Sequence, residues 1–122
     1  MSTKVFRGDT ITQIAKLENG KLYEGISLRQ IAKIEGSKVF EGTSLRQIMK
    51  VESEKIYEGT SIRQLARLAK GRLTLGTSST QLARLDNGHI YQGTSLHTLA
   101  VIDGPCTQAE TAAVLHIVLG LF

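Results

Sequence analysis

Basic side chains recur along this chain at a constant interval of 17 residues. Lys16, Lys33, Lys50, Arg67 and Arg84 form one series, and Arg29, Arg46 and Arg63 a second, four positions earlier in the same units. Cations spaced in this way could track a phosphate backbone, with arginine forks on phosphate oxygens and Tyr23, Phe40 and Tyr57 stacking on unpaired bases. These eight residues are the candidate binding residues. Acids recur in the same units, as Glu18, Glu35 and Glu52 and as Glu24, Glu41 and Glu58. That pattern favours a solvated surface of mixed sign laced with cross-strand ion pairs over a dedicated anion track.

Nucleophilic or acid–base chemistry has less to draw on. His89, His97 and His116 fall in the C-terminal third with Cys106, Asp103 and Glu110. A Cys–His pair needs a lowered thiol pKa and a base held within hydrogen-bond reach, and nothing in the spacing supplies either. Cys106 is the single cysteine, which excludes an internal disulfide and a multi-cysteine metal site. No phosphate-loop glycine motif, HExxH pair or calcium-binding loop occurs. The expectation is a protein that is not an enzyme, with no cofactor and no metal. The glutamines at 13, 30, 47, 64 and 81 form another column, and a structural ladder of amides bonded to the neighbouring repeat accounts for them.

What must position these columns is an internal repeat. Units begin at Lys4, Lys21, Lys38, Lys55, Arg72 and His89, so six copies of 17 residues fill 4–105. Glycine takes the fifth place of every copy, from Gly8 to Gly93. Such self-similarity means that one local geometry is built six times. A helical unit is one reading, with Ser27 as N-cap, Gln30 completing a capping box and Gly36 as C-cap. A strand reading accounts for more. Asn19-Gly20 and Asn87-Gly88 sit between alternating segments, and this dipeptide supplies the two positive φ angles of a type I′ hairpin turn. That turn sets Glu18 against Lys21, Leu17 against Leu22 and Lys16 against Tyr23, and the next copy sets Glu35, Ile34 and Lys33 against Lys38, Val39 and Phe40. Opposite charges, paired aliphatics and a lysine beside an aromatic ring are the cross-strand contacts that stabilise a ladder.

Leu28, Ala32, Ile34 and Val39 are then expected on one face, with Ile31 and Phe40 on the other, so that hairpins pack against hairpins. The glycine column opposite Ile14, Ile31, Ile48, Leu65 and Leu82 marks a bend. Five complete hairpins leave strand 4–8 without a predecessor and strand 95–102 without a successor. Pairing KVFRG with SLHTLAVI closes the array and removes both exposed edges. After Pro105, Thr107 and Glu110 make a capping box that starts a helix over 107–122. The helix is apolar nearly all round, and it either plugs the array or meets a second protomer. The fold class is therefore all-β: six hairpin repeats closed into a propeller-like or barrel-like array, plus one C-terminal α-helix, in a single domain over 1–122.

Size and charge agree with this. With 122 residues, 41% of them hydrophobic and a single Pro, the chain has the length and composition of one folded domain. The net charge of +4 falls short of a dense basic face. The N-terminal stretch lacks the apolar segment of a secretory signal, and the apolar run 112–122 is too short to span a bilayer, so a cytoplasmic location without membrane contact is expected. The functional expectation is a non-catalytic interaction or scaffold module that binds a protein partner or itself, the C-terminal helix being one contact surface. Weak nucleic-acid binding through the Lys and Arg columns is the alternative.

Overall fold

The protein is seen in a computed structural model that describes residues 2–8 and 10–122. After the six-residue β1 (Ser2–Arg7), five four-residue strands, β3 (Lys21–Glu24), β5 (Lys38–Glu41), β7 (Lys55–Glu58), β9 (Arg72–Leu75) and β11 (His89–Gln92), alternate with six longer ones. The longer strands are β2 (Gln13–Glu18), β4 (Gln30–Glu35), β6 (Gln47–Glu52), β8 (Gln64–Ala69), β10 (Gln81–Asp86) and β12 (Thr98–Asp103). All twelve are antiparallel neighbours in one closed barrel, whose seam is the pairing of β1 with β12, Lys4 against Asp103 and Val5 against Ile102. Closure satisfies the two edges that an open array would present to another chain.

The tight turns work as their dipeptides require. Asn19 and Gly20 have φ of 52° and 74°, the two positive values of a type I′ turn. Register follows from them, with Glu18, Leu17 and Lys16 opposite Lys21, Leu22 and Tyr23, and the same set one repeat later. At the other end of each repeat the ladder slips by one residue. Leu22 faces Ala32 while Tyr23 faces Gln30, which leaves Ile31 as the extra residue of a β-bulge. The slip recurs at every such pair around the barrel. The glycine column serves the same corner: Gly25, at φ 57°, donates its N–H to Ile14 O at 2.9 Å. Gln13 Nε2 bonds Gly25 O at 2.9 Å, and Gln30, Gln47, Gln64 and Gln81 repeat the bond on the next glycine at 2.7–2.8 Å. The glutamine column is thus the amide ladder that its spacing predicts.

Inside the barrel, large and small residues face each other. Leu22, Ile56 and Leu73 sit opposite Ala32, Ala66 and Ala83, all fully buried. Each such aliphatic contributes about 1.5–3 kcal/mol of burial. The alanines leave an axial space, and the C-terminal helix fills it. Helix α1 (Gln108–Ala113) begins with the expected capping box, Thr107 Oγ1 accepting from Glu110 N and Glu110 Oε1 from Thr107 N. Ala112, Ala113, Val114 and Leu115 are fully buried among the strands. Gln108 Nε2 ties the start of the helix to Leu68 O at 2.7 Å, near the tight turns. Its far end reaches the opposite mouth of the barrel.

Three expectations need correction. The helix is shorter than 107–122: α1 widens into a π-helical turn over Val114–Val118, and Gly120, at φ 62°, then turns the chain so that Leu121 N donates to Leu115 O. Hairpins do not stack face to face; they join edge to edge around the helix, so one interior takes up the apolar face of all of them. Leu28 is not on that face but 84% exposed, because it lies in the turn outside the strand alternation, whereas Ile31 is returned towards the core by its bulge.

Candidate functional site

The eight candidate cations fall into two circles on the outside of the barrel. Lys16, Lys33, Lys50 and Arg84 lie over the aromatic ring that faces each across the hairpin, Tyr23, Phe40, Tyr57 and Tyr91, with 4.5–5.8 Å from cation to ring centre. Such contacts hold the side chain against the wall. Carboxylates then meet most of them: Lys33–Glu35 at 3.6 Å, Lys50–Glu52 at 3.4 Å, Arg84–Asp86 at 3.9 Å and Arg67–Glu54 at 3.3 Å. These pairs run within a strand or to the preceding turn. The register neighbours Glu35 and Lys38 are opposed as the hairpin dictates, yet Glu35 turns its carboxylate to Lys33.

Arg29, Arg46 and Arg63 stand at the wide turns, each beside the acid that opens its turn: Glu24 at 3.4 Å, Glu41 at 3.5 Å and Glu58 at 3.6 Å. Seven of the eight candidate cations therefore have a carboxylate within 4.0 Å. A phosphate chain would have to displace those partners, and exposed pairs of this kind contribute little stability of their own.

The same turns carry the feature that strand periodicity does not reveal. Glu24 N–H donates to Arg29 O, Ser27 Oγ donates to Glu24 O at 2.7 Å, and Arg29 N–H donates to Ser27 Oγ at 3.2 Å. Ser44, Ser61 and Ser95 repeat the arrangement. Backbone and serine close the turn by themselves, and the aliphatic side chain between them has no part in it. Ile11, Ile26, Leu28, Leu45, Ile62 and Leu96 project from this end of the barrel with 81% to 95% of their surface in water. Five of them share one column of the repeat, eight residues into each unit, and that column is the signal in the sequence: an aliphatic that recurs in a Gly-Ser turn has no strand face on which to be buried.

Within this aliphatic rim, a cavity of about 660 Å³ opens between the end of the helix and the wall. Ile14, Ile31, Leu99 and Ile117 line it, with Arg7, Glu24 and His97 at its lip. The groups that could have formed a nucleophilic site are placed otherwise. Burial pushes the Cys106 thiol up to about 11, so it stays protonated at neutral pH. His116 sits against Phe122 at 4.8 Å between ring centres, its Nδ1 buried without a partner, and burial holds its pKa below the ordinary value. Among the described residues no group of three or more His, Cys, Asp or Glu is placed to hold a metal ion, and no helix is long and apolar enough to cross a membrane. Comparison with protein-family models, with curated proteins and with solved structures finds no match to this chain.

Proposed function

We propose that this protein is a non-catalytic interaction module that pairs with a second copy of itself, aliphatic rim against aliphatic rim. The observation that carries the reading is the circle of six exposed Ile and Leu side chains on turns that do not need them. At on the order of 100 Å² of apolar surface each, they make roughly 600 Å² in all. That is at the upper end of what a monomer exposes and close to the ~800 Å² per partner of a standard interface. The helix is spent on the core, so the rim is the apolar surface left for association.

Charge argues for a second copy over an anionic lipid surface. Arg29, Arg46 and Arg63 are each neutralised by the acid in their own turn, which leaves little net field to draw the rim to lipid headgroups. A two-fold axis would bring like aliphatics together with Arg29, Arg46 and Arg63 already paired within their own turns. Repetition around the rim gives each copy several equivalent ways to meet the other.

Light scattering on sized fractions, from about 1 to about 100 µM protein, tests this. The expected result is a dimer that dissociates on dilution and a monomer for the triple variant Leu28→Ser, Leu45→Ser, Ile62→Ser, whose thermal unfolding matches that of the wild type at dilutions where the wild type is itself a monomer, because in the single chain the replaced side chains stand in water. A wild-type protein that is monomeric throughout, or a triple variant that still associates, overturns the reading. Flotation of the monomer with neutral phosphatidylcholine vesicles would assign the rim to lipid instead.

A further inference from the structure

One stretch of the barrel wall departs from the repeat at four columns at once, and the four departures meet in one groove of about 570 Å³ on the outside of β8, β9 and β10. Ala69 stands where the other units have Glu18, Glu35, Glu52, Asp86 and Asp103. Thr74 stands where they have Phe6, Tyr23, Phe40, Tyr57 and Tyr91. Ser79 replaces the rim aliphatic, and Lys70 occupies a turn position held elsewhere by Asn, Gly or Ser. The changes remove a carboxylate, remove the ring that would fill the space, add a hydroxyl and add a cation. We propose that this groove binds a phosphomonoester.

Register explains why the changes act together. Thr74 is opposite Arg67 and Ala69 is opposite Arg72. In neighbouring units the carboxylate of the Ala69 column takes the cation two residues before it, as in Lys33–Glu35 and Lys50–Glu52. With alanine there, Arg67 reaches only to Glu54, and among the described residues neither Lys70 nor Arg72 has a carboxylate within 4.0 Å. The short threonine leaves open the volume that an aromatic ring covers elsewhere. Two guanidinium forks, an ammonium and hydroxyl donors suit a compact dianion with several oxygens, and guanidinium binds phosphate in bidentate fashion. Glu54 beside Arg67 and Asp86 beside Arg84 bound the patch on either side, which fits a single phosphate better than a polymer of them.

Lys70 also carries a mark of cost. It is held at φ 51°, where Asn19 and Asn87 sit in other turns, and a lysine has no local hydrogen bond to repay that conformation. The test uses the repeat's own residues. Glycerol phosphate, inorganic phosphate and sulfate are titrated into the ¹⁵N-labelled protein at low salt while amide shifts are followed. Saturable shifts confined to the neighbourhood of Lys70, Arg72 and Ser79 are expected, with glycerol phosphate binding at least as tightly as inorganic phosphate or sulfate; the two free ions binding while glycerol phosphate does not would overturn a phosphomonoester site. Lys70→Asn, and separately the pair Ala69→Glu with Thr74→Tyr, should each weaken binding about tenfold or more while thermal stability holds or rises. Three further results overturn the proposal: no saturation by about 20 mM phosphate, shifts spread evenly over the Lys33 and Lys50 columns, or variants that bind as the wild type does.

Discussion

Replacing Gly88 and, separately, Gly36 by alanine separates two costs that a tight turn can impose. Both residues lie in the left-handed region, at φ 82° and 60°, and alanine there costs about 1–2 kcal/mol. Space distinguishes them. A Cβ on Gly36 meets nothing within 4 Å, whereas one on Gly88 would lie 2.5 Å from Ile102 O. That carbonyl cannot simply withdraw. Ile102 N–H donates to Gly88 O at 2.7 Å, and Ile102 is paired with Val5 across the closing seam. Pushing β12 aside therefore strains both a turn bond and the β1–β12 ladder, for which overpacking of about 1–3 kcal/mol is a fair measure. Equilibrium urea unfolding followed by circular dichroism should show Gly36→Ala losing about 1–2 kcal/mol and Gly88→Ala losing a further ~1–3 kcal/mol. In a chain of this size each kcal/mol moves Tm by about 4 °C. Equal losses in the two variants would refute the reasoning, because they would mean that β12 gives way freely and that the seam is not held from both sides.

Two further outcomes follow from closure and burial. Deleting residues 1–8 removes β1, exposes the edges of β2 and β12 and uncovers the core at Val5, so the shortened chain should aggregate or lose cooperative unfolding; a monomer with unchanged Tm on size exclusion and calorimetry would show that the seam is dispensable. His116 has its pKa held below 6.5 by burial, so the unfolded chain takes up the proton first as pH falls. Stability contributed by the neutral imidazole is then whole above that pH and lost progressively below it. Urea midpoints at about pH 7.5 and about pH 5.5 should diverge more in the wild type than in His116→Leu, and equal divergence would place the titration elsewhere.

Much of the fold was legible because it is local. Asn19-Gly20 dictates a turn, the turn dictates a register, and the register found at Lys16–Tyr23 and Lys33–Phe40 follows residue by residue. The closing pair of β1 and β12 was legible for a different reason: two unpaired strands of one pattern are each other's complement. What sequence reasoning misplaced lies where alternation stops applying. Leu28 reads as a strand residue until Ser27 is seen to close a turn around it, and Ile31 reads as outward until the bulge adds a residue to its strand. The helix was read past its end because the apolar run continues to Phe122, while the barrel's length and Gly120 decide where it stops. The groove at Arg67 and Arg72 shows only where the repeat fails, because Arg67 itself continues its column unchanged while Ala69, Lys70, Thr74 and Ser79 depart from theirs.

The seam also orders events in time. Every tight turn joins strands separated by two residues, so the hairpins at Asn19, Gly36, Ser53, Lys70 and Asn87 can form while the rest of the chain is still disordered. β1 meets its near neighbour β2 locally, but its seam partner β12 only after about ninety residues of intervening chain have been gathered in, a contact with a high closure entropy. Helix α1 comes later still in the chain, yet it occupies the axis around which the strands must meet. The seam and the helix therefore depend on each other: the strands close around Ala112, Ala113, Val114 and Leu115, and those side chains are buried only in a closed wall.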